Sequence, residues 1–231
     1  IYETTVSPGE FVIDDLYPSG YGGYLDVVVF EADGSEQRFS VPYDSMAQLL
    51  RVGAHEYSLS LGQYDDDSLL SKPLLLEGVY QRGIHNSVTL YGGLQGNQNY
   101  MAGKAGIAVG TTLGAVSVDI THANTELQDG YEDRSGQSYE IQYSKNITST
   151  GSSVSLGGYR YSTEGYLDYK TAMRARDAIE RGGEPNAYNS KNRFVFNAGQ
   201  ELYGSLGQVQ FTGTFENYWD DDDYVNQYQL A

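Results

Sequence analysis

Between residues 114 and 166 apolar and polar side chains alternate with little interruption. Val116, Val118 and Ile120 share one parity, with Ser117, Asp119 and Thr121 on the other. Further on, Tyr139, Ile141 and Tyr143 oppose Ser138, Glu140 and Gln142. Successive side chains of a strand point to opposite faces, so the pattern predicts amphipathic strands. From residue 54 onward the chain offers ten strand candidates, roughly 54–64, 74–82, 86–96, 99–110, 114–124, 136–146, 152–162, 191–203, 206–218 and 223–231. Their length of about nine to thirteen residues suits tilted membrane-crossing strands better than the five or six usual in soluble sheets.

The connections sharpen this. Those at 83–85, 111–113, 147–151 and 204–205 are short, whereas those between them, 65–73, 97–98, 125–135 and 163–190, vary and are mostly long. Outer-membrane barrels carry short turns on one side and longer loops on the other, and a soluble sandwich gives no reason for that regularity. Inside 163–190, residues 171–181 are good helix formers stopped by Gly182 and Gly183, which predicts a short surface helix at the rim.

In a barrel, Val116, Val118, Ile120, Tyr139, Ile141, Tyr143, Val209, Phe211 and Phe215 face lipid. Ser117, Asp119, Thr121, Glu140, Gln142, Gln208, Gln210, Thr212 and Glu216 then line a wet pore. A Lys or Arg on the lipid face at mid-membrane costs about 2–4 kcal/mol, and the same reasoning sends Asp119 and Glu140 inward.

Residues 1–44 have another texture. Asp33-Gly34 between the apolar runs 25–31 and 37–41 predicts a hairpin, because Gly and Asp tolerate the positive φ of a tight turn. Phe11, Ile13, Leu25, Val27, Val29, Phe39 and Val41 are the expected core of a small β-sandwich. Forty-odd residues are too few for an independent core, so more strands are expected upstream. Residues 45–53 form the expected linker, with a turn of helix at 46–50 capped by Ser45 and stopped by Gly53.

Composition agrees with β-structure in a membrane. The 231 residues include 28 Gly and 22 Tyr, and mean hydropathy is −0.48. No stretch approaches the roughly 18 apolar residues of a membrane helix, which leaves barrels untouched. A net charge of −17 argues against nucleic-acid binding, which relies on Lys and Arg neutralising phosphates. There is no cysteine, so disulfides and thiolate metal sites are excluded. The chain opens on Ile1 and ends in what reads as the start of a strand, so a fragment is expected. Ten strands with two open edges are not expected to insert alone as a closed barrel.

Candidate chemistry is thin. His55, His85 and His122 lack zinc-site spacing, and the 65–67 and 220–223 aspartate runs lack an ordered calcium-loop pattern. No G-x-S-x-G elbow and no phosphate loop occurs. No enzyme, metal or cofactor is expected.

Several motifs are together specific. Val6-Ser-Pro-Gly-Glu-Phe-Val-Ile-Asp-Asp-Leu-Tyr17, Leu25 to Phe30 with Glu31-Ala-Asp-Gly-Ser35, and Phe39-Ser-Val-Pro-Tyr43 resemble the plug domain of fimbrial outer-membrane ushers. Leu90-Tyr-Gly-Gly93, Leu113-Gly-Ala-Val-Ser-Val-Asp119, Gly136-Gln-Ser138, Tyr143-Ser-Lys145 and Gly158-Tyr-Arg-Tyr-Ser-Thr-Glu-Gly-Tyr166 look like the barrel of the same family. The resemblance implies an all-β chain: the latter part of a gating plug at 1–44, then about ten strands of a translocation barrel at 54–231. It implies an outer-membrane pore that assembles and secretes pilus subunits. The implied partners are periplasmic chaperone–pilin complexes, subunits in transit, outer-membrane lipid and a second usher copy in a homodimer, with no nucleic acid. Two other classes stay open on the residues alone. One is a general porin, which predicts no separate sandwich segment; the other is a soluble surface adhesin whose exposed Tyr stack on sugars.

Overall fold

The computed structural model describes residues 23–30, 36–43, 49–66, 69–128, 130–147, 152–185, 189–202, 208–219 and 224–230. Strands β1 (Gly23–Phe30) and β2 (Glu36–Tyr43) form an antiparallel pair, and their register sets Leu25 opposite Val41 and Val27 opposite Phe39. Phe11 and Ile13 lie outside the described residues.

Ten further strands follow: β3 (His55–Gln63), β4 (Leu74–His85), β5 (Val88–Gly96), β6 (Tyr100–Thr111), β7 (Gly114–Thr125), β8 (Arg134–Ile147), β9 (Ser152–Ser162), β10 (Ser190–Glu201), β11 (Gln208–Tyr218) and β12 (Tyr224–Leu230). They make one sheet in which every strand pairs antiparallel with its sequence neighbours, from β3 at one edge to β12 at the other. This is the order an up-and-down barrel wall requires, since each short connection can only join adjacent antiparallel strands. Among the described residues no helix is long and apolar enough to cross a membrane, which says nothing of crossing by strands.

Two expectations of detail are corrected. The turn placed at 83–85 is strand, with the reversal at 86–87; a register shift between Gly83 and His85 supplies the extra residue. The connection placed at 204–205 lies outside the described residues. The helical turn at 46–50 is not formed at its described end: Leu49 and Leu50 carry no helix, because the Leu50 N–H turns aside to Thr89 Oγ1 at 2.8 Å.

The long connection after β9 carries the one helix among the described residues, α1 (Tyr169–Glu180). Asp168 caps it, its carboxylate accepting from the Thr171 N–H at 2.8 Å, and Gly182 ends it at φ +77°, a conformation a side chain resists. Tyr169, Ala172 and Met173 bury against Tyr100, Ala102, Ala123, Tyr166 and Leu167. The alanines let the helix approach the ends of β6 and β7 closely. An expected consequence is that Asp168→Ala loosens the helix by about 1 kcal/mol, read as a roughly fivefold faster tryptic cut at Arg174 or Arg176. An unchanged rate refutes the capping role.

Candidate functional site

The sheet has two unlike faces. Along β7, Ser117, Asp119, Thr121, Ala123 and Thr125 are buried while Val118, Ile120, His122 and Asn124 are exposed. The buried face is the one α1 packs on, since Ala123 belongs to both. The exposed face carries Val118, Ile120, Tyr139, Ile141, Val209 and Phe215, with Val116, Tyr143 and Phe211 half-buried. Phe211 and Phe215 continue into an aromatic patch with Phe194, Phe196 and Tyr228, ring centroids 5.7–6.4 Å apart.

Of the residues expected to line a pore, Ser117, Asp119, Thr121 and Gln142 are buried, Glu140, Thr212 and Glu216 are half-buried, and Gln210 is exposed. The side chain of Gln208 lies outside what is described. The pairing register brings together residues that one-strand reasoning kept apart. Tyr91, Gly106, Asp119, Glu140, Arg160, Arg193 and Glu216 are successive cross-strand partners, forming one row over β5 to β11.

At its centre Lys104 Nζ lies 3.3 Å from Asp119 Oδ1 and 3.6 Å from Glu140 Oε2, bridging two carboxylates that the register sets side by side. The Tyr91 hydroxyl donates to Asp119 Oδ2 at 2.9 Å. Its ring lies over Gly106, where a Cβ would come within 2.4 Å of Tyr91 Cζ, so only glycine lets the tyrosine lie flat and reach the carboxylate. Arg160 sits between Glu140 and Glu216 along the row and within electrostatic reach of Tyr166 and Asp168. The arginine thus ties the row to the segment that leads into α1.

Lys104, Tyr91, Arg160 and Arg193 were not among the expected lining residues. Glycines at 92, 93, 103 and 106 dilute the alternation of β5 and β6, which hid the faces of Tyr91 and Lys104. One signal was present: Lys104 is the single charge in β6, and a charge shuns the lipid face.

At the long-loop end α1 gathers three connections. Asp177 accepts from the Leu70 N–H and from Arg181 Nε, both at 2.6 Å, and Arg174 pairs with Asp66 at 3.1 Å. Gln128 reaches Glu180 at 2.9 Å, and Arg176 donates to the Glu126 carbonyl. The Tyr169 hydroxyl accepts from Asn97 at 3.0 Å and donates to the Leu74 carbonyl at 2.7 Å. Burial, with Asp66 adding to it, pushes the Tyr64 phenol up to about 12, and burial likewise raises Tyr166 and Tyr169. All three stay neutral at any physiological pH, and Tyr169 remains a donor. Among the described residues no three His, Asp or Glu side chains converge as a metal site.

Comparison with known proteins gives this wall its setting. The chain is 42% identical over 233 residues to the outer membrane usher protein MrkC of Klebsiella pneumoniae, covering all of this chain and 28% of that one. It therefore spans little more than a quarter of the length of such relatives. The structure of the P pilus usher PapC translocation pore matches 94% of this chain and 43% of its own, with TM-score 0.68 and 26% identity. A cryo-EM structure of an E. coli P pilus tip assembly intermediate, PapC-PapD-PapK-PapG, matches 94% of this chain and 26% of its own, with TM-score 0.60 and 25% identity. The ten-stranded sheet is thus part of a large antiparallel transmembrane barrel. The family model described as outer membrane usher protein matches residues 1–231, and the chain belongs to that family.

Proposed function

We propose that residues 54–231 are wall, and residues 1–44 gate, of an usher pore in the bacterial outer membrane, through which pilus subunits delivered by a periplasmic chaperone are assembled and secreted. The observation that carries this is the contrast of faces: a mid-strand row of charges and hydroxyls behind, and Val118, Ile120, Tyr139, Ile141 and Phe215 in front. Charges belong where water or a polar cargo passes, and apolar side chains where acyl chains lie. The row that includes Asp119, Glu140, Arg160, Arg193 and Glu216 then lines the lumen. Positive and negative groups are interspersed along it, so a folded subunit meets no extended field of one sign. Subunit joining needs no catalytic group from this wall, and its role is transport and assembly.

The P pilus tip assembly intermediate PapC-PapD-PapK-PapG, whose structure matches 94% of this chain, supports a role in pilus assembly with protein partners here. Single cysteines in the intact usher test the two faces. At Ser117 or Thr212 a charged maleimide should react at least tenfold faster than at Val118 or Ile120. Equal rates, or the reverse order, would refute the assignment.

A further inference from the structure

We infer that the apolar face carries, at its short-turn end, a site for the headgroup of an anionic phospholipid, built on Arg82 with His55 and Tyr80 and joined along the rim by Lys145. This rests on the reading of the Val118 and Ile120 face as the one that meets acyl chains. The pairing register carries that parity from Ile120 to Tyr57 on one side and to Tyr224 on the other. Among the described residues at these register positions there is no Asp or Glu, although the chain holds 31 of them against 14 Lys and Arg. The strand carboxylates Glu56, Glu77, Asp119, Glu140 and Glu216 all stand on the opposite parity. The formal charges on the apolar parity are Arg82 and Lys145. Both are cations, Arg82 near the 86–87 reversal and Lys145 near the same end of β8.

Arg82 stands directly opposite His55 in the register, and Tyr80 opposite Tyr57 one step further in. The His55 and Tyr80 rings stack with centroids 6.5 Å apart. All four side chains are exposed. Glu56 and Gln81 alternate with them onto the other face and bond to each other at 2.6 Å, so that carboxylate is occupied elsewhere. Among the described residues no carboxylate pairs with Arg82. Toward mid-membrane the same face continues as Leu59, Leu61, Leu76 and Leu94, exposed aliphatic side chains on which acyl chains can lie. On β8 the Tyr143 hydroxyl and Lys145 Nζ donate to the Leu113 and Thr112 carbonyls, which holds the ammonium at the rim with donors to spare.

Short turns of an outer-membrane barrel face the periplasm, so these cations meet the inner leaflet of that membrane. Their stems run along apolar surface while the charged heads reach the headgroup level. A guanidinium fork matches two phosphate oxygens, with the imidazole and phenol as neighbouring donors. A zwitterionic headgroup would bring its own ammonium against Arg82; an anionic one would not.

The test takes the intact usher in nanodiscs of phosphatidylcholine with a minority of phosphatidylglycerol, and reads by native mass spectrometry which lipid stays bound. Wild type should retain phosphatidylglycerol about fivefold beyond its share of the bilayer, the effect of one cation at an anionic surface. Arg82→Gln should lower that enrichment at least about threefold, and Arg82→Lys, which keeps the charge, should hold it within about twofold of wild type. Adding Lys145→Gln to Arg82→Gln should abolish it. Arg82 is exposed, so the heat-modifiable form should be unchanged in each variant, and a lost enrichment then reports the site and not the fold. No enrichment in wild type, or full enrichment in Arg82→Gln, while cysteines at Val118 and Ile120 stay slow toward the maleimide, would overturn the site alone. Fast labelling at those two cysteines would overturn the face reading beneath it.

Discussion

In the intact usher, Lys104→Met is expected to destabilise the folded wall by about 3 kcal/mol, seen as a lower urea midpoint for loss of the compact, heat-modifiable form in detergent. The reason is local. Lys104 is the cation between Asp119 and Glu140, at 3.3 and 3.6 Å, and the three side chains are 10%, 2% and 15% exposed. Methionine fills the same volume, so packing survives while two neighbouring carboxylates face each other without their shared partner. Removing one member of a buried ion pair costs about 3–5 kcal/mol, and access of water to the pore face puts this case at the lower end. Asp119 retains the Tyr91 hydroxyl at 2.9 Å, which limits the damage. The double variant Lys104→Met, Asp119→Asn should therefore regain more than half of the loss, a coupling that independent sites would not show. A single variant as stable as wild type would mean that the cluster is solvated and contributes nothing.

Gly136→Val is expected to detach the α1 segment from the wall. A Cβ at Gly136 would lie 2.2 Å from the Tyr166 nitrogen and 2.6 Å from the Gly165 carbonyl carbon, both backbone atoms that no rotamer change can move. Gly165 is equally confined from the other side, its Cβ position 2.1 Å from the Ser135 carbonyl oxygen. The two glycines let the chain leaving β9 cross flat over β8, and Tyr166, Leu167 and Tyr169 enter the core just beyond. Pushing the crossing outward should cost about 3 kcal/mol and pull those anchors with it. Cleavage after Arg174 and Arg176 should then become at least tenfold faster while the strands stay folded. A variant that protects the helix as well as wild type does would show that the crossing yields, and that α1 is held by its loop contacts alone.

Strands were legible because a membrane wall is written with period two. Observed bounds such as Gly114–Thr125 and Ser152–Ser162 follow the alternation closely. The loop-length rhythm is equally local, since a two-residue reversal at 112–113 can join only antiparallel neighbours. At the described end of the expected 46–50 turn, local preference says nothing of the acceptor that the Leu50 N–H meets on Thr89, 39 residues away; residues 46–48 lie outside what is described. Lys104 was missed because parity is lost among glycines that carry no facing signal. Those glycines matter through partners distant in sequence: Tyr91 for Gly106, and Arg51 for Gly83.

By itself the sequence determined which segments are strands, that they pair in order, and that one parity of Ser117 to Ile120 shuns water while the other seeks it. Those are consequences of side-chain alternation and short turns, both local in the chain. Only the tertiary structure decided that Asp119, Glu140, Arg160, Arg193 and Glu216 stand in one row, that Lys104 bridges two of them, and that the Leu50 N–H finds its acceptor on Thr89. Register across the strands is set by bulges, turn lengths and side chains wedged over glycines, and a shift of two residues in any one pair would keep every face and destroy the row.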